Sequence, residues 1–175
     1  MIIRIATCFI ILILQISCEI PDPPKVPVIV ELPKRTGDGK GFIREDPLSS
    51  QFMFDANIEN DSEDFIIKKI RFELEVIKDP SCIKYDTTEN GMPSIFSYAE
   101  GGDRSECPKI EVIRNVETHI PPRNSSDILT DKFYLIGYNP SIGKLFWDMR
   151  TYGYNEMDYN KYNDALIAWK MKYDK

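Results

Sequence analysis

His119 is the only histidine in this sequence, so acid–base chemistry of the Ser-His-Asp type would have to be built around it. It lies just before Pro121 and Pro122, where a strand is expected to end. A zinc site built from histidines needs more than one of them. We therefore predict no catalytic residue and no cofactor. A small secreted hydrolase stays open as an alternative function.

Oxygen-bearing side chains alternate after the first Phe-rich segment. Asp55, Asn57 and Asp61 resemble the opening of a calcium loop, because carboxylate and amide oxygens are the ligands that Ca²⁺ prefers. An EF-hand loop has Gly at its sixth position and Glu at its twelfth, and these places hold Asn60 and Ile66 here. We therefore predict a solvated acidic loop and no metal. A looser calcium site at Asp55, Asn57 and Asp61 is the alternative.

The cysteines indicate a single disulfide. Of the four in the sequence, Cys8 and Cys18 fall in the apolar N-terminal segment, which leaves Cys82 and Cys107. An even pair in an exported chain predicts that the two are bonded to each other. On the chain-entropy model, closing a loop of this length would stabilise the fold by roughly 3 kcal/mol.

Residues 1–18 have the layout of a secretory signal peptide. Arg4 forms a short positive region, and the apolar run that follows is shorter than the about 20 residues of a spanning helix. We therefore predict a secreted, extracellular protein. The alternative is a bacterial envelope lipoprotein that is lipidated at Cys18 and acts in assembly or inhibition. Ser17 fits its motif, but Gln15 stands where leucine is expected.

Two Asn-x-Ser sequons begin at Asn60 and Asn124. In a eukaryotic secretory pathway both asparagines are glycosylation candidates, which would place them in surface loops.

The net charge argues against some classes of partner. The chain carries a formal charge of −6, so it lacks the electrostatic footprint of a nucleic-acid binder. Attraction to anionic lipid is also disfavoured. We expect no nucleic-acid partner, and membrane association only through a lipidated Cys18.

The elements that would position these residues are mostly strands. Residues 19–49 read as a Pro- and Gly-rich extended lead-in with an edge strand at 28–32 and a turn at 36–41. Within residues 65–77, Ile66, Lys68 and the even positions after them share one face, which predicts a long strand. Residues 110–116 read as another strand. Residues 133–138 and 144–147 read as a β-hairpin around an Asn-Pro-Ser-Ile-Gly turn.

The last segment changes from strand to helix period. Its aromatic and aliphatic residues are spaced three and four apart, at Tyr159, Tyr162, Leu166, Trp169 and Tyr173. Asn155 or Asp158 is suited to cap the helix. The prediction is a mainly β chain: a signal peptide (1–18), the lead-in (19–49), an antiparallel β-sandwich (50–152) and an amphipathic C-terminal helix packed on it (153–175).

Aromatic residues crowd the same part of the chain. Tyr and Trp are favoured at interfaces, because each joins a large apolar ring to a polar group. We predict a contact surface among Trp147, Tyr152, Tyr154, Tyr159 and Tyr162. Packing of the helix on a sheet is the alternative role for the same residues.

The order of features between residues 51 and 138 has a counterpart in one known family. The features are spaced phenylalanines at 52 and 54, an acidic loop at 59–64, a strand at 70–76 followed by Cys82, then Cys107, a strand leading to Pro121, and Ile136-Gly137. This order resembles the nematode transthyretin-like family of small secreted β-sandwiches, although the family's early Cys is missing and the C-terminal helix is extra. The resemblance covers about half of the mature chain and carries no functional residue over. It implies a secreted, non-enzymatic carrier or recognition module.

Together these features predict a secreted, non-enzymatic binding module. Its partner would be an extracellular protein or a small apolar ligand.

Overall fold

Alternating apolar and charged residues produce most of the regular structure. A computed structural model describes residues 20–174, apart from 47, 49, 93 and 95–100. Its elements are β1 (Val30–Glu31), β2 (Arg35–Asp38), β3 (Ile43–Asp46), β4 (Gln51–Glu59), β5 (Phe65–Ile77), a 3-10 helix (Pro80–Cys82), β6 (Lys109–Ile120), β7 (Ser125–Leu129), β8 (Phe133–Tyr134), β9 (Lys144–Asn155) and α1 (Glu156–Tyr173). The prediction of a mainly β chain with a C-terminal helix is confirmed.

The strands form two antiparallel sheets. In sheet A, β5 lies between β6 and β9, and the short strands β1 and β2 pair along the far side of β9. In sheet B, β4 pairs with β3, β7 and β8. The segment predicted as a lead-in therefore supplies β1, β2 and β3. Its predicted turn at 36–41 begins as β2.

A single core joins the inner faces of the two sheets. Phe54 of β4 and Phe72 of β5 are both fully buried, and their rings stack with centroids 4.7 Å apart. Residues from both sheets belong to this cluster, among them Ile58, Ile70, Leu74, Ile120, Leu145 and Met149. Burial of each such side chain contributes about 1.5–3 kcal/mol. The predicted β-sandwich is thus confirmed, with its core between β4 and β5.

The long strand β5 contains a β-bulge that the sequence did not reveal. Its pairing shifts between Ile67 and Lys69 against both β6 and β9. Before the shift Phe65 and Ile67 belong to the core cluster, and after it Ile70 and the even positions do. The prediction that Lys68 shares the core face was therefore wrong. The bulge inserts one extra residue, Lys68. Odd-numbered residues face the core before it, and even-numbered residues face the core after it.

The predicted hairpin between residues 133–138 and 144–147 was also wrong. β8 pairs with β4 in sheet B, and β9 pairs with β5 in sheet A. Two turns in succession separate them: the amide of Tyr138 donates to the carbonyl of Leu135, and the amide of Gly143 donates to that of Asn139. These turns carry the chain from one sheet to the other.

The disulfide prediction is confirmed, because Cys82 and Cys107 are bonded. Together with Ile77, Ile83 and Phe146, the buried Cys107 forms a second small core. Ile77 and Phe146 lie on the outer face of sheet A, so the chain around the disulfide covers one end of that face. A disulfide fits an extracellular protein.

The helix α1 begins where β9 ends, at Glu156 rather than at 153. Asn155 is its N-cap, since its side-chain oxygen accepts from the amides of Met157 and Asp158. The five predicted stripe residues are the half-buried positions of the helix from Tyr159 onward, and none of its residues is fully buried.

The chain consists of two compact units, with a boundary near the start of α1. Residues 20–27 and 159–174 belong to one compact unit, and Val28–Asp158 form the other. Within the first unit, the indole of Trp169 donates to the carbonyl of Pro21 over 2.7 Å. In the described part of the chain, no helix is both long enough and apolar enough for a membrane crossing.

The strand β6 is an edge of sheet A, with β5 as its pairing partner among the described residues. Its inward-facing positions include one charge, Arg114. The guanidinium of Arg114 lies 5.1 Å from the ring centre of Phe133, and its Nη1 donates to the carbonyl of Ile113 over 2.8 Å. The edge strand thus carries a cation on the face that it turns toward the core.

Candidate functional site

The outer face of sheet A carries a dense array of charged and aromatic side chains. Cross-strand register places Arg71 opposite Arg150, Glu73 opposite Asp148 and Lys69 opposite Tyr152. The disulfide-bonded segment covers the Phe146 end of this face. At the other end, beside the bulge, the face forms a groove.

This groove, here called the bulge groove, has a volume of about 450 Å³. It is lined by Ile29, Lys68, Lys69, Arg71, Glu117, Tyr152, Gly153 and Tyr154. Three of these side chains are cationic, one is acidic and two are tyrosines. Bulges are over-represented next to active sites, where they re-aim a side chain.

Gly153 allows the bulge to form. It pairs with Ile67, and a Cβ on it would lie 1.7 Å from the carbonyl oxygen of Ile66. Only a residue without a side chain fits such a close approach between backbones. The sequence therefore places glycine where β9 passes the bulge of β5. The tyrosines on either side of Gly153 both face the groove.

Lys68 contacts His119 of the neighbouring strand, with Nζ 2.6 Å from the ring Nδ1. An ammonium group only donates, so Nδ1 accepts and the imidazole proton is on Nε2. Desolvation and the nearby Lys68 charge both hold the pKa of His119 below its ordinary value. A triad histidine has the reverse arrangement, donating from Nδ1 to a carboxylate and accepting at Nε2. This geometry does not suit His119 to act as a general base.

Lys69 lies directly across the sheet from Tyr152 on β9 and from Glu117 on β6. Its side chain is half-buried, and among the described residues no carboxylate forms an ion pair with it. A lysine of this kind buries its methylene stem and presents its ammonium group to the solvent. The ammonium of Lys69 is thus available to a ligand in the groove.

Arg71 and Arg150 share the carboxylate of Glu73. Its Oε1 lies 2.5 Å from Arg71 Nε and 3.8 Å from Arg150 Nε. Both Nε atoms are buried without a well-directed hydrogen bond, so these contacts are mainly electrostatic. Arg150 also pairs with Glu31 over 3.6 Å. Two guanidinium groups and two carboxylates therefore balance each other beside the groove.

A second cleft lies between the sheets at the end of β4 and has a volume of about 350 Å³. Most of its polar side chains are already engaged: Arg35 pairs with Asp61 over 3.3 Å, and Lys34 pairs with Asp148 over 2.8 Å. Asn60 is bonded to backbone carbonyls. The bulge groove is therefore the better candidate site.

The calcium candidates bond to separate partners. Asp55 pairs with Arg44 over 3.0 Å, the amide of Asn57 donates to Asp127 over 2.7 Å, and Asp61 pairs with Arg35. In the described residues, no group of three or more His, Cys, Asp or Glu side chains is arranged to hold a metal.

The two sequon asparagines occupy opposite environments. Asn124 is exposed, as predicted, and stays a glycosylation candidate. Asn60 is only 2 % exposed, and its side-chain nitrogen donates to the carbonyls of Phe65, Ile120 and Pro121. That nitrogen is the atom to which a glycan would be attached. In the folded chain Asn60 is therefore an interior residue, and the prediction that its sequon lies in a surface loop was wrong for this asparagine.

The predicted contact residues divide among three places. Tyr152 and Tyr154 line the bulge groove. Trp147 is half-buried and packs against the core, with its ring 4.4 Å from that of Phe42. Tyr159 and Tyr162 lie on α1, with ring centroids 6.5 Å apart. Cys18 and the predicted signal peptide lie outside the described residues.

We expect Glu75 to make the fold less stable as the pH is lowered into the acidic range. It accepts from Arg104 Nε over 2.6 Å and from Lys109 Nζ over 2.8 Å. Burial alone would raise the pKa of Glu75, but the hydrogen bonds from Lys109 and Arg104 outweigh it and lower the pKa. Since the folded pKa lies below the unfolded one, this stabilisation is complete above about pH 4.3 and is lost as the pH falls through the folded value.

Glu75→Gln tests this dependence. We expect the variant to lose less stability than the parent between about pH 5 and pH 2 in urea unfolding experiments. Glu106→Gln is the matched control, because Glu106 is largely exposed and, within the described part of the chain, has Lys84 as its ion-pair partner. It should keep the parent's pH profile. If the unfolding free energies of Glu75→Gln and the parent fall equally with pH in this range, Glu75 is not the source of the acid dependence.

No family model, curated protein or solved structure matches this chain. The resemblance to the transthyretin-like family stays a prediction.

Proposed function

We propose that this chain is a secreted, non-enzymatic binding module that holds a small ligand in the bulge groove. The observation that carries the proposal is the groove itself, in which Lys69, Arg71 and Tyr152 converge beside a bulge. Its volume falls within the range of about 300–1,000 Å³ that is typical of small-molecule sites. The bonded cysteines support an extracellular location.

The arrangement of His119 supports binding rather than hydrolysis. Its Nδ1 accepts from Lys68, which leaves no lone pair on Nε2 to take a proton from a nucleophile. A binding site needs only rigid walls and a few placed polar groups. Three neighbouring strands supply both here.

The proposal can be tested by NMR on the ¹⁵N-labelled protein with a set of small carboxylic acids, alcohols and amines. We expect the shifted amides to cluster at residues 67–71, 117 and 152–154. Tyr152→Ala should remove the shifts, whereas Tyr134→Ala, a change at an exposed tyrosine on β8, should keep them. Shifts confined to the inter-sheet cleft, no shifts at all, or new signals from a converted compound would contradict the proposal.

A further inference from the structure

We infer that the ligand of the bulge groove is an amphiphilic monoanion, with its acidic head against Lys69 and its apolar body along Ile29 and the tyrosines. The inference rests on the proposed function, since it names the chemical class that the same groove takes. Three observations carry it: the charge of the lining, the position of Lys69 and the exposed apolar segment beside it.

The groove is basic although the whole chain is acidic. Lys68, Lys69 and Arg71 face a single acid, Glu117, in a protein of formal charge −6. Glu73 outside the groove compensates Arg71. The lining is left with an excess of one positive charge, which fits a ligand with one negative charge. A second anionic group on the ligand would face Glu73 or Glu117.

Lys69 is the best-placed group to hold the acidic head. It stands in the middle strand of three, and no described carboxylate lies within ion-pair distance of its ammonium. Tyr152 is directly opposite, so a carboxylate at Lys69 could also accept from that phenol. Hydrogen bonds to a charged partner are about twice as strong as those between neutral groups.

The apolar part of the lining lies on the other side of the tyrosines. Ile29 is 59 % exposed, and its neighbours Val28 and Val30 are 82 % and 47 % exposed. They form an uncovered apolar stretch that leads into β1. An alkyl chain or ring that extends from Lys69 past Tyr152 and Tyr154 would cover Ile29. Each buried methylene of such a body would tighten binding by about fourfold.

Three ten-carbon compounds share the same alkyl chain and differ in the charge of the head group: decanoate, 1-decanol and decylammonium. Comparing their affinities distinguishes the effect of the charge from that of the chain. In NMR titrations of the full chain below the aggregation concentration of each compound, we expect decanoate to bind at least about tenfold more tightly than 1-decanol. Decylammonium should bind more weakly than either. The preference for decanoate should shrink as salt is raised, because the site is open to solvent.

Variants at Lys69 test whether its ammonium group causes the preference for decanoate over 1-decanol. Lys69→Gln should bring the affinities for decanoate and 1-decanol to within about twofold, and Lys69→Arg should restore the preference, because it restores the charge. Lys132→Gln is the matched control, since it removes the same charge at a lysine that pairs with Asp46 near sheet B. It should leave the preference intact. Amide spectra of each variant verify that it is folded.

The outcomes distinguish this inference from the proposed function. Equal binding of decanoate and 1-decanol in the groove would overturn the inference and leave the proposed function standing. Tighter binding of decylammonium would overturn it in favour of recognition through Glu117. If neither these compounds nor the wider set shifts any groove amide, both proposals fail.

Discussion

Asn60→Asp is expected to lower the free energy of unfolding by about 3–5 kcal/mol at pH 7. The side-chain nitrogen of Asn60 donates to three backbone carbonyls at 2.7, 2.9 and 3.1 Å. Aspartate has nearly the same shape, but its second oxygen would face those three carbonyl oxygens without a proton to share. A buried charge would then stand against three acceptors, in a position that is only 2 % exposed.

The other sequon supplies the matched control. Asn124→Asp makes the same chemical change at an exposed residue with one side-chain bond, to the carbonyl of Pro122, and should cost less than about 1 kcal/mol. Both variants should be made in a host that does not glycosylate them and unfolded in urea. The cost of Asn60→Asp should fall at low pH, where the acid gains a proton to donate. Equal costs for the two variants would contradict an interior role for Asn60.

Gly153→Ala is expected either to prevent folding or to cost more than about 3 kcal/mol. The new Cβ would lie 1.7 Å from the carbonyl oxygen of Ile66 and 2.8 Å from its carbon, and both atoms are backbone. No rotation of a side chain can relieve that contact, so β9 would have to separate from β5 at the bulge. The soluble yield and the urea midpoint measure the effect.

Gly91→Ala is the control for the effect of replacing a glycine where no steric clash results. A Cβ there would meet nothing within 4 Å, although Gly91 has a φ of +71°. Only conformational strain of about 1–2 kcal/mol is expected from this change. A Gly153→Ala variant as stable as Gly91→Ala would show that the two strands do not approach so closely, and the bulge groove would need a different shape.

Much of the fold follows from local patterns, and the exceptions have physical reasons. The alternation after Ile70 and the pairing of the cysteines are set by short-range periodicity and by chemistry. The bulge left no signal within β5 itself, because Phe65, Ile66 and Ile67 are all apolar and conceal the change of phase. The hairpin prediction failed because a Pro–Gly turn specifies only a reversal of the chain. The strands that β8 and β9 pair with, β4 and β5, are distant in sequence and are not indicated by the turn.

The candidate site was less predictable than the fold. Tyr152 and Tyr154 were identified from their residue type, but the cations that converge on them were not. The groove is assembled from four separate stretches of sequence, at residues 29, 68–71, 117 and 152–154. Their proximity depends on the register of three strands and on one bulge. The one local sign was a glycine between two tyrosines in a strand, a position that often marks a close approach of backbones.

Arg114 also bears on how the chain behaves at high concentration. Among the described residues, no second strand pairs with the outer edge of β6, and an open edge of twelve residues is a template on which identical molecules can stack strand by strand. Here the guanidinium on β6 already donates to the carbonyl of Ile113, and a new neighbouring strand would have to displace and dehydrate it. An inward-facing charge is one of the devices that protect natural sheets from such growth. Arg114 thus favours solubility over self-assembly along this edge.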